Sequence, residues 1–231
     1  MTLTDADVDR VRWALYRGFA DTGTELPPDE LAARAGVAPG DLDAALTILE
    51  QQRHVVRRDG ATVLAHPFAG RNFAFSVMSE ETLWWGGCAW DAFAIPHLLQ
   101  RGPMLVATTC PACGTTHAWN VGPDGPPAGD QVAHFLVPMR SVWDDVVEAC
   151  RNQRVFCSTD CVSTWLQRHR LPMGSTFSLA TLWRLASHWY DGRLAPSYTR
   201  RDPQEAGAYF AEVGLTGEFW TGSGTGNTTE P

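Results

Sequence analysis

The sequence predicts an α+β protein in which an N-terminal, winged-helix-like helical cap precedes a mixed α+β core with a small antiparallel sheet. Three helical patterns and one β-hairpin pattern fill the first 66 residues. After Pro67, short alternating runs typical of strands are interleaved with helical runs. The chain has 231 residues, 44% of them hydrophobic, and is therefore long enough to bury a core of this kind.

Three helices and a hairpin make up the predicted cap, residues 1–66. Residues 4–20 carry apolar side chains at three-to-four spacing behind a Thr/Asp start signal, which indicates an amphipathic helix. Two shorter helical patterns, each opened by Pro and Asp, follow over residues 26–36 and 38–52. An alternating pattern around Asp59-Gly60 predicts the hairpin.

The predicted core covers residues 67–222, and the Gly/Thr-rich tail over 223–231 is predicted to be disordered. Strands are predicted over residues 72–78, 103–110, 116–123, 131–138 and 154–157. Helices are predicted over residues 84–95, 141–152, 161–170 and 178–190.

The charge balance argues against nucleic-acid binding. Only 18 basic residues face 26 acidic ones, and the formal net charge is -8. Up to His66 there are eleven acids and seven arginines, whereas affinity for nucleic acid depends on basic side chains that neutralise phosphates. We therefore interpret the cap as a structural or dimerising unit and not as a DNA-binding one.

Localisation determines how the cysteines are interpreted. The sequence shows neither a signal-peptide pattern nor an apolar run long enough to span a membrane, so we expect a cytoplasmic protein without membrane contact. Cysteines in such a compartment are thiols, metal ligands or catalysts more often than disulfides. The six cysteines are Cys88, Cys110, Cys113, Cys150, Cys157 and Cys161.

A cysteine and an acid lie three residues apart in the apolar stretch over residues 84–99. On the predicted helix, Cys88 and Asp91 share one face, and Pro96 would stop or kink the helix just beyond them. An acid on an apolar face must be paired, hydrogen-bonded or held neutral. This short pattern alone indicates only packing, so a second feature is needed to give it chemical meaning.

Cys157 supplies that feature, because it follows the β-like pair Val155-Phe156 and precedes polar residues. With "CAWDAFAIP" over residues 88–96 and the acidic helical cap, the chain resembles the organomercurial (alkylmercury) lyase family. The resemblance extends over roughly the whole chain apart from the tail.

The resemblance implies protonolysis of a carbon–mercury bond. Cys88 and Cys157 would grip the mercury of a small organomercurial, since thiolates are soft ligands, and Asp91 would protonate the departing carbon. It implies no organic cofactor, Hg(II) as the bound product, and cellular thiols or a mercuric reductase as its acceptor. The aromatic residues of the segment could line an apolar pocket or simply fill the core. They are Trp84, Trp85, Trp90 and Phe93.

A second interpretation competes for Cys157. Cys110 and Cys113 form C-x2-C, and Cys157 and Cys161 form C-x3-C, a pattern typical of a structural zinc site. A closed zinc site would occupy Cys157 and leave a non-lyase relative that binds zinc or another soft metal. If Cys157 is free, the other three cysteines are accessory thiols or a partial site. A hydrolase triad on Cys157 also stays open. Cys150, on a predicted helix, is interpreted as a packing residue.

Overall fold

The computed structural model describes residues 3–221. Within this range the chain forms helices interleaved with two antiparallel sheets, so the predicted α+β class is confirmed. The helices are α1 (Asp5–Thr22), α2 (Pro28–Ala35), α3 (Leu42–Gln51), α4 (Ala89–Leu99), α5 (Val146–Arg151), α6 (Thr159–His169), α7 (Leu179–Ser187), α8 (Pro203–Glu212) and α9 (Glu218–Thr221). The strands are β1 (Val56–Arg58), β2 (Ala61–Ala65), β3 (Phe68–Ala69), β4 (Phe75–Met78), β5 (Leu83–Gly86), β6 (Met104–Thr109), β7 (Thr116–Val121), β8 (Val132–Phe135), β9 (Gln153–Phe156) and β10 (Ser175–Ser178). The predicted tail over 223–231 lies outside the described residues.

The N-terminal part contains the predicted three helices and hairpin. Strands β1 and β2 are joined by Asp59-Gly60, whose positive φ angles of 53° and 80° suit a two-residue hairpin turn. Strand β2 also pairs with β3, so this hairpin is the edge of a sheet that extends beyond residue 66. The predicted boundary at 66/67 therefore falls inside one sheet.

The larger sheet has seven strands in the order β1-β2-β3-β5-β4-β6-β7. The sequence predicted a small antiparallel sheet, and this one is larger than predicted. Helix α4 packs against it, and its residues from Ala89 to Pro96 are all buried. The prediction of a helix over 84–95 was wrong at its start, because Trp84 and Trp85 lie on β5 and pair with β4. Pro96 does not stop the helix at once, since α4 ends three residues later at Leu99.

The smaller sheet has the order β10-β8-β9. Its strand β9 is preceded by α5 and followed by α6, so residues before and after this strand emerge at its two opposite ends. Helix α5 is shorter than the helix predicted over 141–152, because Met139–Ser141 forms a separate 3-10 turn and Asp145 caps α5.

Buried polar contacts join the first helix to the rest of the chain. Arg12 is 1% exposed, and its guanidinium donates to the carbonyl oxygens of Arg193 and Ala195 over 2.9 and 2.7 Å. The indole N–H of Trp84 donates to the carbonyl of Phe19 over 2.9 Å. Within residues 3–221, no helix combines the length and the apolar character needed to cross a membrane.

Candidate active site

Cys88 and Asp91 meet at the N-terminus of α4. Cys88 is the N-cap residue, with extended backbone angles (φ −160°, ψ −175°), and its Sγ accepts a hydrogen bond from the backbone N–H of Asp91 over 3.4 Å. The first N–H groups of a helix have no intrahelical partner, and an N-cap side chain takes up one of them. The predicted thiol and acid are therefore neighbours through a helix cap and not through a shared helix face.

Two glycines allow α4 to begin this close to the sheet. A Cβ on Gly86 would lie 2.7 to 2.9 Å from side-chain and backbone atoms of Ala92. A Cβ on Gly87 would lie 2.6 Å from the Asp91 Oδ2 and 2.8 Å from the Leu64 Cδ2. Real Cβ atoms do not approach other atoms this closely, so a Cβ at Gly86 would require the Ala92 backbone to move, and one at Gly87 would require the Asp91 and Leu64 side chains to move.

The carboxylate of Asp91 is buried and hydrogen-bonded through both oxygens. Asp91 is 1% exposed. The Tyr190 hydroxyl donates to its Oδ1 over 2.5 Å, and the His66 Nδ1 lies 2.9 Å from its Oδ2. A buried acid is costly unless it is paired or hydrogen-bonded, and these two partners meet that requirement. The sequence did not indicate either partner.

Distant parts of the chain supply these partners. His66 lies in the short connection between β2 and β3, and Tyr190 follows α7. The buried guanidinium of Arg193 lies over the Tyr190 ring, 5.1 Å from its centroid. A cation over an aromatic ring is attracted to it, so this arginine adds positive charge behind the tyrosine that holds the acid.

The second thiol at this site is that of Cys150. Cys150, on α5, is 4% exposed, and its thiol lies close enough to that of Cys88 for each to shift the pKa of the other. Ligand atoms of Cys150, His66 and Asp91 lie within 4.8 Å of one another. Two thiols and one acid therefore share one buried site. The sequence suggested that Cys150 only fills the core, whereas the structure places it beside the acid.

Burial favours the neutral form of both thiols. It raises the pKa of Cys88 well above 9.0, and the neighbouring Cys150 thiol and the charge of Asp91 act in the same direction. For Cys150, the neighbouring Cys88 thiol lowers the pKa, but burial and the charge of Asp91 outweigh this effect and raise the pKa above 9.0. Burial, with the charges of Asp91 and Cys88, also raises the pKa of Tyr190 well above 10.0.

Cys157 belongs to a separate cluster. Its Sγ lies 3.5 Å from that of Cys113. The sulfurs of Cys110, Cys113, Cys157 and Cys161 all lie within 4.8 Å of one another. The grouping that the C-x2-C and C-x3-C pattern predicted is thus present in the structure.

The resemblance implied that Cys157 lies beside Cys88 and Asp91. The structure does not bring these residues together. Strand β9 separates Cys150 from Cys157, so the two thiols emerge at its opposite ends. Cys150 lies with Cys88 beside Asp91, while Cys157 lies beside Cys113. No short sequence pattern could have identified Cys150, because an isolated cysteine on an amphipathic helix is typical of packing.

The aromatic residues predicted around the site belong largely to the core. Trp84 is fully buried and donates to a helix carbonyl, and Phe93 packs 5.7 Å from the Trp119 ring centroid. The aromatic ring that approaches the acid's partner is Trp143, edge-to-face with His66 at 6.2 Å between centroids. The residues near the site thus combine soft ligands, a hydrogen-bonded acid and an aromatic neighbour.

Such an arrangement can bind a soft metal and move a proton beside it. Thiolates favour soft metals, and two of them in contact can replace other ligands on one ion. The hydrogen-bonded carboxyl group lies next to both thiols, so a proton released by a thiol has an acceptor within the same site.

Comparison with known proteins gives a consistent result. The alkylmercury lyase family model, MerB, matches residues 68–191 of this chain. Among solved structures, the chain is similar to one described as the mercury-bound form of MerB2, with 18% sequence identity and a TM-score of 0.60. That similarity covers 80% of this chain and 90% of the other, and at this identity it shows a shared fold. No curated protein matches this chain.

Proposed function

This chain belongs to the alkylmercury lyase family, and we propose that it cleaves the carbon–mercury bond of alkyl and aryl mercury compounds by protonolysis. The products are a hydrocarbon and Hg(II) bound by two thiols. The observation that carries the proposal is that the Cys88 and Cys150 thiols both lie beside the buried Asp91 carboxylate.

In this proposal Cys88 and Cys150 bind the metal. An organomercurial R–Hg–X gains two sulfur ligands and loses R and X, so the two thiols release two protons in total. One proton ends on the carbon of R–H, and the other leaves with X. Both thiols have raised pKa values, so they enter the reaction protonated and lose their protons to the soft metal. Cys150 takes the role that the resemblance gave to Cys157.

Asp91 is the group that transfers the proton. Its backbone N–H donates to the Cys88 sulfur, and its carboxyl group lies within 4.8 Å of the Cys150 sulfur. Asp91 can therefore receive a thiol proton and pass it to the metal-bound carbon. The hydroxyl of Tyr190 and the ring of His66 hold the carboxyl group in place. They act as positioning residues, and the reaction needs no organic cofactor.

The proposal also covers the cellular compartment of the reaction and the role of the N-terminal residues. We infer a cytoplasmic reaction, where thiols stay reduced and small thiols or a mercuric reductase can remove Hg(II), so that the protein contributes to mercury detoxification. Residues 1–66 then act as a structural, winged-helix-like cap, because their eleven acids and seven arginines do not suit a phosphate backbone.

The competing non-lyase function depended on one shared atom, the sulfur of Cys157. With Cys150 as the partner of Cys88, the four-cysteine cluster and the thiol–acid site use different residues. A metal held by the cluster therefore leaves the lyase site intact, and the cluster does not favour a non-lyase function.

The proposal is tested by measuring benzene released from phenylmercury with excess thiol. Wild-type protein should release benzene above the thiol-only blank, and Cys88→Ser and Cys150→Ser should release none above it, because each lacks one sulfur ligand. Cys157→Ser is the matched control and should keep the reaction, since its thiol lies in the other cluster. Loss of benzene in Cys157→Ser with full activity in Cys150→Ser would overturn the residue assignment, and a blank-level wild type would overturn the function.

A further inference from the structure

Four cysteine sulfurs outside the proposed active site converge on one point. The Cys113 Sγ lies 3.5 Å from the Cys157 Sγ and 4.0 Å from the Cys161 Sγ. Together with Cys110, all four sulfurs lie within 4.8 Å of one another. A zinc ion binds sulfur at about 2.3 Å, so the sulfurs of a tetrahedral site are about 3.8 Å apart. The measured separations bracket this value.

The first two ligands come from the tip of the β6–β7 hairpin. The N–H of Cys110 donates to the Thr115 carbonyl over 2.8 Å, and the N–H of Gly114 donates to the Cys110 carbonyl over 2.9 Å. Gly114 has a φ of 76°, which glycine adopts without strain. This tight turn directs both the buried Cys110 and the exposed Cys113 into the cluster.

The other two ligands come from the start of α6. Cys157 directly follows β9, Ser158 caps the helix, and Cys161 lies in its first turn. The positive end of a helix dipole favours negative charge, so this position suits metal-bound thiolates. The Nε2 of His117 lies 3.4 Å from the Cys157 Sγ, where it can hydrogen-bond a ligating sulfur.

A contact beside the cluster joins the same two elements. Arg168 of α6 donates to the Ala112 carbonyl, inside the C-x2-C turn, over 3.1 Å. Cys110 and Phe156 also belong to one small buried cluster that includes Val162 and Trp165 of α6. The hairpin tip and the helix start are thus held together by packing, so the four ligands are already arranged around the metal position.

We propose that Cys110, Cys113, Cys157 and Cys161 form a structural zinc site that ties the β6–β7 hairpin to the junction between β9 and α6. Four thiols lose their protons to the solvent as one Zn²⁺ binds, and no oxidation is involved. A closed four-sulfur site leaves no open position, which is typical of structural zinc. Because β9 also follows the helix that carries Cys150, the zinc fixes one end of the strand whose other end leads to the proposed active site.

The proposal is tested by metal analysis of full-length protein purified without mercury from zinc-containing medium. We expect about one zinc per chain, and X-ray absorption should show four sulfur neighbours at about 2.3 Å. Cys113→Ser should lose most of the zinc and should stay folded, because Cys113 is exposed. Cys150→Ser is the control and should keep it.

Three results would overturn the zinc site. In the metal analysis, wild-type protein would contain less than about a tenth of a zinc per chain, or it would contain iron in place of zinc. In the X-ray absorption spectrum, the zinc would have oxygen or nitrogen ligands. Zinc content that is unchanged in Cys113→Ser and Cys161→Ser would count equally against it. The absorption spectrum of the wild type needs no variant, so the proposal stays testable even if a cysteine variant fails to fold. Benzene release is measured separately, so failure of the lyase function does not affect this outcome.

Discussion

At the scale of single residues, the chemistry centres on how Asp91 is held. Its carboxylate is 1% exposed, yet both oxygens have partners in Tyr190 and His66. The buried guanidinium of Arg193 stacks over Tyr190 and places positive charge nearby. An acid in this environment has a defined orientation toward the two thiols, which a solvent-exposed aspartate would lack.

Replacement of Asp91 with Asn separates metal binding from proton transfer. Asp91→Asn keeps the side-chain shape and both thiols but has no proton to give, so mercury should bind while hydrocarbon release falls by about 100-fold or more. The measurement is benzene release and bound mercury in a single turnover. Asp124→Asn, at an exposed position, is the control. Full benzene release by Asp91→Asn would show that the proton comes from another group.

Replacement of Tyr190 with Phe tests the positioning of the acid. The variant loses the 2.5 Å hydrogen bond to the Asp91 Oδ1, and a hydrogen bond to a charged group is worth about 1.5 to 3 kcal/mol. We expect kcat to fall by about 10- to 100-fold with KM little changed. Tyr209→Phe is the control, because its hydroxyl donates to the Leu185 carbonyl over 2.9 Å. An equal loss of kcat in both variants would indicate a purely structural role.

At the scale of elements, the site depends on where α4 begins. The strand β5 ends at Gly86, and the helix starts at Ala89, so Gly87 and Cys88 form the whole connection. Helix α4 then begins directly against the sheet, with its N-cap sulfur and its first-turn acid on the side that α5 approaches with Cys150. The glycine pair thus determines the distance between the helix start and the strands.

Replacing the two glycines with alanine should affect different properties, kcat for Gly87 and the free energy of unfolding for Gly86. A Cβ on Gly87 meets the ends of the Asp91 and Leu64 side chains, so Gly87→Ala should stay folded but displace the carboxyl group and lower kcat. A Cβ on Gly86 meets backbone atoms of Ala92, so Gly86→Ala should lower the free energy of unfolding by about 1 to 3 kcal/mol.

Urea unfolding and benzene release measure the two effects of these glycine substitutions. Gly40→Ala is the control, because a Cβ there has no heavy atom within 4 Å. Gly87→Ala with wild-type kcat and Gly86→Ala with wild-type stability would contradict the close approach of α4 to the sheet.

The elements also show what the sequence could predict. Alternating patterns identified strands such as β6 and β7, because their residues alternate between buried and exposed. The start of α4 was misplaced, since the apolar run before it fits a buried strand and a buried helix equally well. Cys150 was missed because its position beside Asp91 depends on how α5 packs in the tertiary structure, and no local pattern encodes that packing.

At the scale of the whole molecule, three buried or partly buried histidines link stability to pH. Burial is the main cause of a lowered pKa for His54, to about 3, and burial lowers the pKa of His97 and His134 to about 4. The ordinary value of 6.5 applies to the unfolded chain. Below that pH the unfolded state binds more protons than the folded state, so protonation favours unfolding.

The free energy of unfolding should therefore decline as the pH falls from 6.5 toward 4. His134 gives the clearest test, because it is buried and packs against the rings of Phe156 and Trp165. His134→Phe removes one titrating group while keeping an aromatic ring, so its stability should fall less steeply with acid than that of the wild type. Urea unfolding between about pH 7.5 and pH 4.5 measures both slopes. His169→Gln, at an exposed position, is the control variant. Equal slopes for His134→Phe and the wild type would mean that His134 does not couple folding to pH, because the removed group would then bind protons equally in both states.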